Sequence, residues 1–338
     1  MATNVSYANS DTILEALVLH TLPDFGQHGD GIINNNFLLA MLKANKRMKV
    51  VDGGLEFWKG VMKNSNSNFK WQGYADDMSA NLQDPSARLR FAIKTFTGSI
   101  VINKLHEAQN KGRAMMKNFA ATLKEQAEST IPNQFNSAFW KVTPGTDEPE
   151  SIPSLVSITP TTGTIGGLSR SAGQYLQNGV YATAVSDIGS EAGLAALKKQ
   201  QIQRAIGSGG KDIADIIIMD ESNFAGLVAF LDTQRRYRAN EKMAELDFDT
   251  IQIGNTTISY ENTIVSESEN TITTGYVYGL NSEHLNFEVL KDGNFIWNPD
   301  GFERKGQSLN KALYFWVFCN LTTNLPKAHF VMTNVSTA

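Results

Sequence analysis

The glycine-rich segment Gly207-Ser-Gly-Gly-Lys211 has the composition of a phosphate-binding loop, whose backbone amides would hold the phosphates of a nucleotide. Its spacing does not fit that chemistry. Ala205 stands where the first glycine of such a loop is required, and Asp212 stands where a serine or threonine would bind magnesium. The segment also follows a predicted helix and precedes a predicted strand, which reverses the required order. We therefore interpret it as a helix stop.

Side chains that bind metals or act as nucleophiles are scattered along the chain. No two histidines have metal-ligand spacing; they are His20, His28, His106, His284 and His329. Asp76-Asp77 has no partner histidine, and no Gly-x-Ser-x-Gly nucleophile elbow occurs. The single cysteine, Cys319, excludes an intrachain disulfide and a cysteine-based metal site, and its apolar surroundings disfavour a thiolate. The sequence therefore predicts no catalytic residues, no metal site, no cofactor and no enzyme.

The densest basic cluster is Arg235-Arg236-Tyr237-Arg238. Such a cluster could bind phosphate, but the formal net charge of −4 gives the chain as a whole no attraction to nucleic acid or to an anionic membrane. We interpret Arg235, Arg236 and Arg238 as a solvated helix face or as one side of an ion pair between subunits. They are therefore candidates for contacts between subunits.

The composition is that of a folded protein with room for two domains or one large one. The chain has 338 residues, of which 41% are hydrophobic and 19% are charged. Its first residues lack the basic region and apolar core of a signal peptide. The longest apolar run, Ala312 to Cys319, is far shorter than the ~20 residues that cross a bilayer. We therefore expect cytoplasmic synthesis and no membrane partner.

The longest periodic stretch is Ile102 to Ile131, in which apolar residues recur at helical spacing. These residues are Ile102, Leu105, Ala108, Met115, Phe119, Leu123, Ala127 and Ile131. The pattern predicts a helix that ends at Pro132, because proline interrupts the backbone hydrogen bonding of a helix. A helix of about 30 residues is roughly 45 Å long. We therefore expect a spine across which other elements lie.

Residues 52–101 are predicted to form a long, twisted hairpin. Its strands are predicted at Leu55–Met62, Phe69–Tyr74 and Arg88–Ile102. Four aromatic residues lie near its outer part: Trp58, Phe69, Trp71 and Tyr74. A two-stranded ribbon cannot bury four aromatic side chains by itself, so they need a partner surface, either the rest of this chain or another copy.

The remaining predicted elements mix helices and strands, after a polar arm at residues 1–10. The predicted helices are Asp11–His20, Asn34–Lys46, Gly189–Ile206 and Glu221–Glu245. The predicted strands of the middle region are Ser154–Ile158, Ile213–Met219 and a hairpin at Thr250–Tyr260 around Gly254-Asn255. The predicted terminal strands are Gly275–Leu280, Leu285–Leu290, Lys311–Leu321 and Ala328–Val335.

One central segment resembles a motif of the tailed-bacteriophage major capsid proteins. Gly166-Gly-Leu-Ser-Arg170, followed by Gln174-Tyr-Leu-Gln-Asn178, is similar to a Gly-(Ile)-Asp-Arg … Trp-Trp-Arg-Asn segment of one subgroup. Here Ser169 replaces the aspartate, and Tyr175-Leu176 replaces the tryptophan pair. Leu168 replaces the isoleucine, whereas one glycine, Arg170 and Asn178 match the pattern.

Two later segments resemble the same family. Gly275 to Leu285, with Asn294-Phe295 after it, is similar to the family's strand pair Leu-Asn-x-x-Tyr/His-Leu … Phe. Phe315 to Thr323 is similar to its closing strand Trp-x-x-Asn-Leu-Thr. The resemblance extends over about residues 50–335 and is strongest after residue 275. It depends on the order of the segments, because each motif alone is short.

The resemblance implies an α+β protein with the HK97-like phage capsid fold. That fold has an N-terminal arm, an E-loop hairpin, a P-domain with a long spine helix, and an A-domain. The implied ranges are 1–51 for the arm, 52–101 for the E-loop, 102–184 for the P-domain with its spine helix at 102–131, 185–270 for the A-domain, and 271–338 for strands that return to the P-domain. The E-loop would lie over a neighbouring subunit and bury Trp58, Phe69 and Trp71 there.

The resemblance also implies a function, a location and a set of partners. The chain would be a major capsid protein that assembles as hexamers and pentamers into the icosahedral head around the phage genome. Its expected partners are other copies of itself, a separate scaffolding protein, a portal, decoration proteins, and packaged DNA held without sequence-specific binding. The expected location is the virion, after synthesis and assembly in the host cytoplasm.

Two alternatives stay open at the level of sequence. One is an encapsulin-type compartment shell protein with the same fold, for which a cargo peptide rather than a genome would be the partner. The other is an α/β hydrolase or transferase whose site has no recognised motif. A pocket that brings histidine, aspartate and serine side chains together would favour the enzyme.

Overall fold

The structure is a computed structural model that describes most of the chain. The described residues are 33–34, 36–63, 68–71, 73–74, 78, 81–82, 84–105, 113–182, 188–205, 212–234, 249–261, 264–266, 269–270, 272–304, 310–333 and 335. Several predicted features lie outside these ranges: residues 1–32 with the helix Asp11–His20, His106, Asp76-Asp77, the segment 207–211, and Arg235, Arg236 and Arg238. Among the described helices, none is long and apolar enough to cross a bilayer.

Helices and strands are both abundant, as the α+β class requires. The described helices are α1 Phe37–Ala44, α2 Arg113–Trp140, α3 Ile152–Leu155, α4 Glu191–Gln203 and α5 Glu221–Gln234. The strands of the N-terminal half are β1 Met48–Val51, β2 Glu56–Met62, β3 Ser86–Ala92, β4 Lys94–Asn103, β5 Thr164–Ile165, β6 Leu168–Ser169 and β7 Gly179–Tyr181. The later strands are β8 Ile216–Asp220, β9 Ile251–Ile253, β10 Thr256–Glu261, β11 Ile264–Ser266, β12 Glu269–Asn270, β13 Val277–Leu280, β14 Leu285–Leu290, β15 Ile296–Trp297, β16 Glu303–Arg304, β17 Asn310–Thr323 and β18 Phe330–Met332.

The first sheet is built around β17, which is 14 residues long. Strand β4 pairs antiparallel with it over ten residues, from Asn103 opposite Asn310 to Lys94 opposite Cys319. Strands β14, β15 and β16 pair with the other edge, and β1 lies parallel to β14. The side chains of β17 that are fully buried on one face follow the two-residue period of a strand: Leu313, Phe315, Val317, Cys319 and Leu321.

The second sheet has the strand order β7-β18-β13-β8-β10-β9. Its central strand β8 is buried along its whole length, as predicted for Ile213–Met219. Ile217 and Met219 pack with helices α4 and α5, whereas Ile216 and Ile218 face the larger core beneath the first sheet. Strand β8 therefore belongs to both hydrophobic cores of the chain.

The predicted spine exists as α2, but its predicted bounds are wrong at both ends. Residues 102–103 belong to β4, because Ile100 and Ile102 are buried and Val101 is exposed, which is the period of a strand. The helix continues through Pro132 to Trp140. An internal proline costs about 3 kcal/mol, and the burial of Phe135, Phe139 and Trp140 beyond it, at about 2 kcal/mol for each side chain, offsets that cost.

The predicted hairpin is also corrected. Strand β2 pairs with β3, from Glu56 opposite Ala92 to Met62 opposite Ser86. The predicted strand Phe69–Tyr74 is wrong, since its described residues form no strand, and β4 belongs to the first sheet rather than to the ribbon. The predicted strand Ser154–Ile158 is wrong as well. Ser151 caps the short helix α3 through a capping box with Ser154, which fixes a helical turn there.

Other predictions from local patterns are confirmed. The predicted helix Asn34–Lys46 is present as α1, and Asn36 caps it by accepting a hydrogen bond from the Leu39 amide at 3.1 Å. Gly254 has φ +67° in the turn between β9 and β10, as a primed hairpin turn requires. The terminal strands also occur where predicted, but β13 and β18 join the second sheet, whereas the prediction returned all of residues 271–338 to the spine.

The predicted N-terminal arm, residues 1–51, includes chain that belongs to the core. Helix α1 buries six consecutive residues, Phe37 to Leu42. Strand β1 then pairs with β14 in the first sheet. A continuous run of buried apolar side chains would cost too much free energy in a solvated arm. The described part of this region is therefore a structural element of the first core.

Candidate intersubunit surface

The hairpin formed by β2 and β3 has two chemically different faces. Its inner face is apolar and packs on the first core through Phe57, Val61, Leu89 and Phe91, which are all buried. Its outer face carries Trp58 opposite Arg90, and Arg88 opposite Gly60. The base of the hairpin is therefore held by the chain itself, and only its outer face and its far end are available to a partner.

An ion pair fixes the inner face to the first sheet. Lys59 Nζ donates a short hydrogen bond to Glu288 Oε1 on β14, and the two side chains are only 14% and 3% exposed. Asn320 on β17 donates from Nδ2 to the Ala92 carbonyl oxygen at 2.7 Å. Lys59, Glu288 and Asn320 occupy inward positions of their strands, so the alternation of the sequence does not mark them as contact residues.

Gly166 holds the hairpin from a second side. Its carbonyl oxygen accepts a hydrogen bond from the Arg90 amide at 2.9 Å. Its φ is +52°, and a Cβ atom placed on it would lie 2.7 Å from the Leu89 Cβ. Only glycine satisfies both conditions. Gly166, in the segment that resembles the capsid motif, therefore has a physical role in seating the hairpin.

Between β2 and β3 lies an exposed apolar segment, which we call the tip. It consists of Met62, Phe69, Trp71, Tyr74, Met78 and Leu82. Phe69 is 86% exposed, and Trp71 and Tyr74 are 104% and 110% exposed, as in an extended chain. Such a set of apolar side chains indicates a surface that a partner covers.

Trp58, the fourth predicted aromatic residue, lies apart from the tip on the outer face. Its ring lies 5.6 Å and 5.8 Å from the guanidinium carbons of Arg88 and Arg90. Its indole nitrogen donates to Glu56 Oε2 at 3.2 Å. The two cations are therefore held over an aromatic ring on the exposed face, where they favour an acidic partner surface.

An apolar groove lies between β4 and the spine helix α2. Its volume is about 470 Å³. Its apolar lining residues are Phe96, Ile100, Val101, Leu123, Ala127, Ile131, Trp297 and Phe315, and its polar ones are Thr97, Ser99, Gln126, Thr130 and Gln134. Its size and lining suit large apolar side chains. The chain therefore carries both an exposed apolar tip and an apolar groove.

The arginine of the capsid-like motif is the most constrained charge in the described structure. Arg170 is 2% exposed and donates from Nη1 to the Leu176 carbonyl and to Asn178 Oδ1, each at 3.2 Å. Its Nη2 donates to the carbonyls of Ser154 and Leu155 at 2.6 Å and 3.0 Å. Burial lowers the pKa of Arg170. Arg170 and Asn178 are thus joined directly, which explains their spacing in the motif.

One group of potential metal ligands is brought together that the sequence did not reveal. The ligand atoms of Asp212, Glu283 and His284 lie within 4.8 Å of one another. His329, by contrast, is a buried core residue outside this group, and burial lowers its pKa to about 3. Seventy-two residues separate Asp212 from His284, so no spacing rule for a single helix or loop could have found the group.

Replacing Glu288 with glutamine tests the seating of the hairpin. We expect the free energy of unfolding to fall by about 3 kcal/mol, because the Lys59 ammonium would lose its charged partner in a buried position. Urea unfolding of the purified chain measures this. The double variant Lys59→Met, Glu288→Leu should recover most of the loss. Asp84→Asn breaks the exposed Lys63–Asp84 pair and should leave the unfolding midpoint unchanged. If Glu288→Gln and Asp84→Asn had equal effects, the Lys59–Glu288 pair would not hold the hairpin to the sheet.

Comparison with known proteins gives a likeness in structure and none in sequence. No protein-family model matches the chain, and no curated protein matches it. The capsid of cyanophage A-1(L) is similar with a TM-score of 0.60 at 10% identity, covering 90% of this chain and 93% of that one. The capsid of an empty GTA particle is similar with a TM-score of 0.52 at 12% identity, covering 86% of this chain and 89% of that one.

A third solved structure, the capsid of the Myoviridae phage XM1, has a TM-score of 0.51 at 10% identity and covers 86% of this chain and 90% of that one. These likenesses extend over nearly the whole of each chain, so they concern the complete fold rather than one shared motif. The α+β class of the described residues agrees with them. The chain therefore has the HK97-like fold of the tailed-phage major capsid proteins.

Proposed function

We propose that this chain is the major capsid protein of a tailed phage and assembles into the icosahedral head that encloses the genome. The observation that carries the proposal is the exposed apolar tip on a chain with a capsid fold. An isolated subunit would hold three aromatic side chains in water, whereas a shell covers them in every subunit. In this role the protein is structural rather than catalytic, and its location is the virion.

The proposed contact places the tip of one copy in the groove between β4 and α2 of the next. Tip and groove are different surfaces of the same chain, so the contact is head-to-tail. Contacts of this kind close into rings when the rotation between copies is a simple fraction of a turn. Hexamers and pentamers are the rings from which an icosahedral shell is built. The proposed contact residues are Trp58, Phe69, Trp71 and Tyr74. The proposed candidates for ion pairs between copies are Arg235, Arg236 and Arg238.

The proposed domains follow the implied ranges, adjusted where the sheets require it. The E-loop is the β2–β3 hairpin with its tip, within residues 52–101. The P-domain contains α2 and the first sheet. The A-domain, within 185–270, contains α4, α5 and β8 to β12. The HK97-like order of elements supports this division, and the second hydrophobic core adds β13 and β18 to the A-domain.

The proposed partners follow from enclosing a genome. DNA inside the shell is held without sequence-specific contacts, and the net charge of −4 favours weak attraction to it. A scaffolding protein and a portal would act during assembly in the host cytoplasm, and decoration proteins would bind the finished shell. These partners are proposed from the fold resemblance, and the apolar tip supports only the contact between copies.

Particle size tests the proposal. We expect the chain expressed alone to form closed shells, or pentamers and hexamers that assemble under crowding, in size-exclusion chromatography with light scattering and in negative-stain microscopy. Nucleic acid within particles from infected or induced cells would support the phage head, and a protein cargo would indicate a compartment shell. A chain that stays monomeric under crowding, with and without its scaffolding protein, would contradict the proposal.

A further inference from the structure

We propose that Asp212, Glu283 and His284 form a site for a divalent metal of the zinc class at the junction of the two sheets. One imidazole nitrogen and two carboxylates offer ligand atoms within 4.8 Å of one another. The closest pair, His284 Nε2 and Asp212 Oδ2, lies 3.0 Å apart. Two ligand atoms that each bind a tetrahedral zinc ion at about 2.0–2.2 Å lie about 3.3–3.6 Å apart, so this pair needs to separate by only about 0.5 Å to admit the ion. The inference is independent of the proposed shell function.

The imidazole is oriented by a residue outside the group. His284 Nδ1 lies 2.9 Å from Asn324 Oδ1, and the Asn324 amide donates to the His284 carbonyl oxygen at 3.2 Å. Asn324 thereby fixes the ring so that Nε2 faces Asp212 Oδ2 at 3.0 Å. A divalent ion would replace the proton of the hydrogen bond between these two atoms and bind both of them.

The carboxylate is oriented in the same way. Asn281 Nδ2 donates to Asp212 Oδ1 at 2.5 Å, which leaves Oδ2 directed to His284. Metal-binding histidines and carboxylates are generally held by such outer hydrogen bonds, which fix the ring and the free oxygen for the metal. Two asparagines from different loops perform this task here. The group is therefore prepared on both sides before any ion binds.

The ligand types indicate the class of metal. A mixed nitrogen and oxygen set suits zinc and its transition-metal neighbours, whereas calcium and magnesium prefer oxygen alone. Glu283 is 63% exposed, and its Oε1 lies 3.9 Å from Arg47 Nη2, so it is the weakest of the three ligands. Asp212 and His284 are mostly buried. We therefore expect water to complete the coordination and affinity in the micromolar range.

The metal would add a link between two elements that hydrogen bonds already join. Asp212 lies just before β8 of the second sheet, and His284 lies just before β14 of the first. The same turn is already held by Asp215, whose carboxylate accepts from the Ser282 amide at 2.7 Å and from its hydroxyl at 2.6 Å. A bound ion would hold this turn at a second point. We therefore expect it to raise the free energy of unfolding of the chain.

Zinc titration of the full-length chain, freed of metal with a chelator, tests the site. We expect about one zinc ion per chain by calorimetry and a rise in Tm of about 5 °C at a hundredfold excess over Kd. Magnesium should give neither. Cobalt should give visible absorption bands that report the nitrogen and oxygen ligands.

Three variants separate this site from zinc bound elsewhere. His284→Gln keeps all other histidines and should lose the Tm rise and at least 100-fold in affinity, and Asn324→Ala should lose about 10–100-fold. Glu283→Gln should lose less than His284→Gln. Urea unfolding without metal shows that each variant is folded. A wild-type chain that binds no zinc, or binds it as tightly as His284→Gln, would overturn the site and leave a hydrogen-bonded histidine–carboxylate pair.

Discussion

Replacing Phe69, Trp71 and Tyr74 together by serine is expected to abolish shell assembly and leave the subunit folded. These side chains are almost fully exposed in the single chain, so their loss removes no core packing. Covering three of them contributes about 6 kcal/mol to each contact between copies, which corresponds to roughly a ten-thousandfold change in the association constant. Light scattering and negative-stain microscopy measure assembly, and urea unfolding measures the subunit.

The matched control is Ile202→Ser, which removes an exposed apolar side chain from α4, away from the hairpin. It should assemble like the wild type. A second variant, Ala127→Arg, should block the groove and also prevent assembly. Because the contact is head-to-tail, mixing the tip variant with the groove variant leaves one working contact per pair. Dimers, but no shells, should then form. Normal shells from the triple-serine chain would show that the tip is not the contact.

Arg170→Met is expected to lower the free energy of unfolding by about 3–5 kcal/mol. The guanidinium donates to four acceptors on two separate segments, at Ser154 and Leu155 and at Leu176 and Asn178. Methionine fills a similar volume but leaves those acceptors without a donor, and each such loss costs about 1–3 kcal/mol. Guanidinium chloride unfolding, monitored by tryptophan fluorescence, measures the change.

Arg170→Lys should also destabilise the chain, by about 2 kcal/mol, because a single ammonium cannot reach acceptors spread across the plane of a guanidinium. Arg304→Met is the control, since Arg304 lies exposed on β16, and its effect should be within about 0.5 kcal/mol. If Arg170→Met unfolded at the same denaturant concentration as the wild type, the arginine would not hold these segments together.

Local patterns predicted those elements whose burial follows their own sequence. Strand β17 alternates Leu313, Phe315 and Val317 inward, and its assignment needs no knowledge of its partners. The predicted start of the spine is wrong because the conformation there depends on a distant partner and not on the local pattern. Ile102 fits a helical pattern, but the long pairing of β4 with β17, which extends to Asn103, makes it part of a strand. A pairing 200 residues away in the chain cannot be seen in a window of 15.

The candidate surface could be predicted only on its exposed side. The aromatic residues of the hairpin are too many for a two-stranded ribbon to cover, and this alone predicted that they need a partner. The groove between β4 and α2, the Lys59–Glu288 anchor and the Asp212–His284 pair each join segments from distant parts of the chain. Nothing in the types of these residues distinguishes them from ordinary core or surface positions.

A cryo-electron microscopy reconstruction of assembled particles, at a resolution that shows side chains, tests the central proposal most directly. We predict a closed shell of pentamers and hexamers in which Trp71 of each copy lies between β4 and α2 of its neighbour. Particles in which Trp71 packs on its own chain or stays in solvent would contradict the proposed contact. A preparation that yields no shell under any assembly condition, with or without the scaffolding protein, would contradict the proposed function.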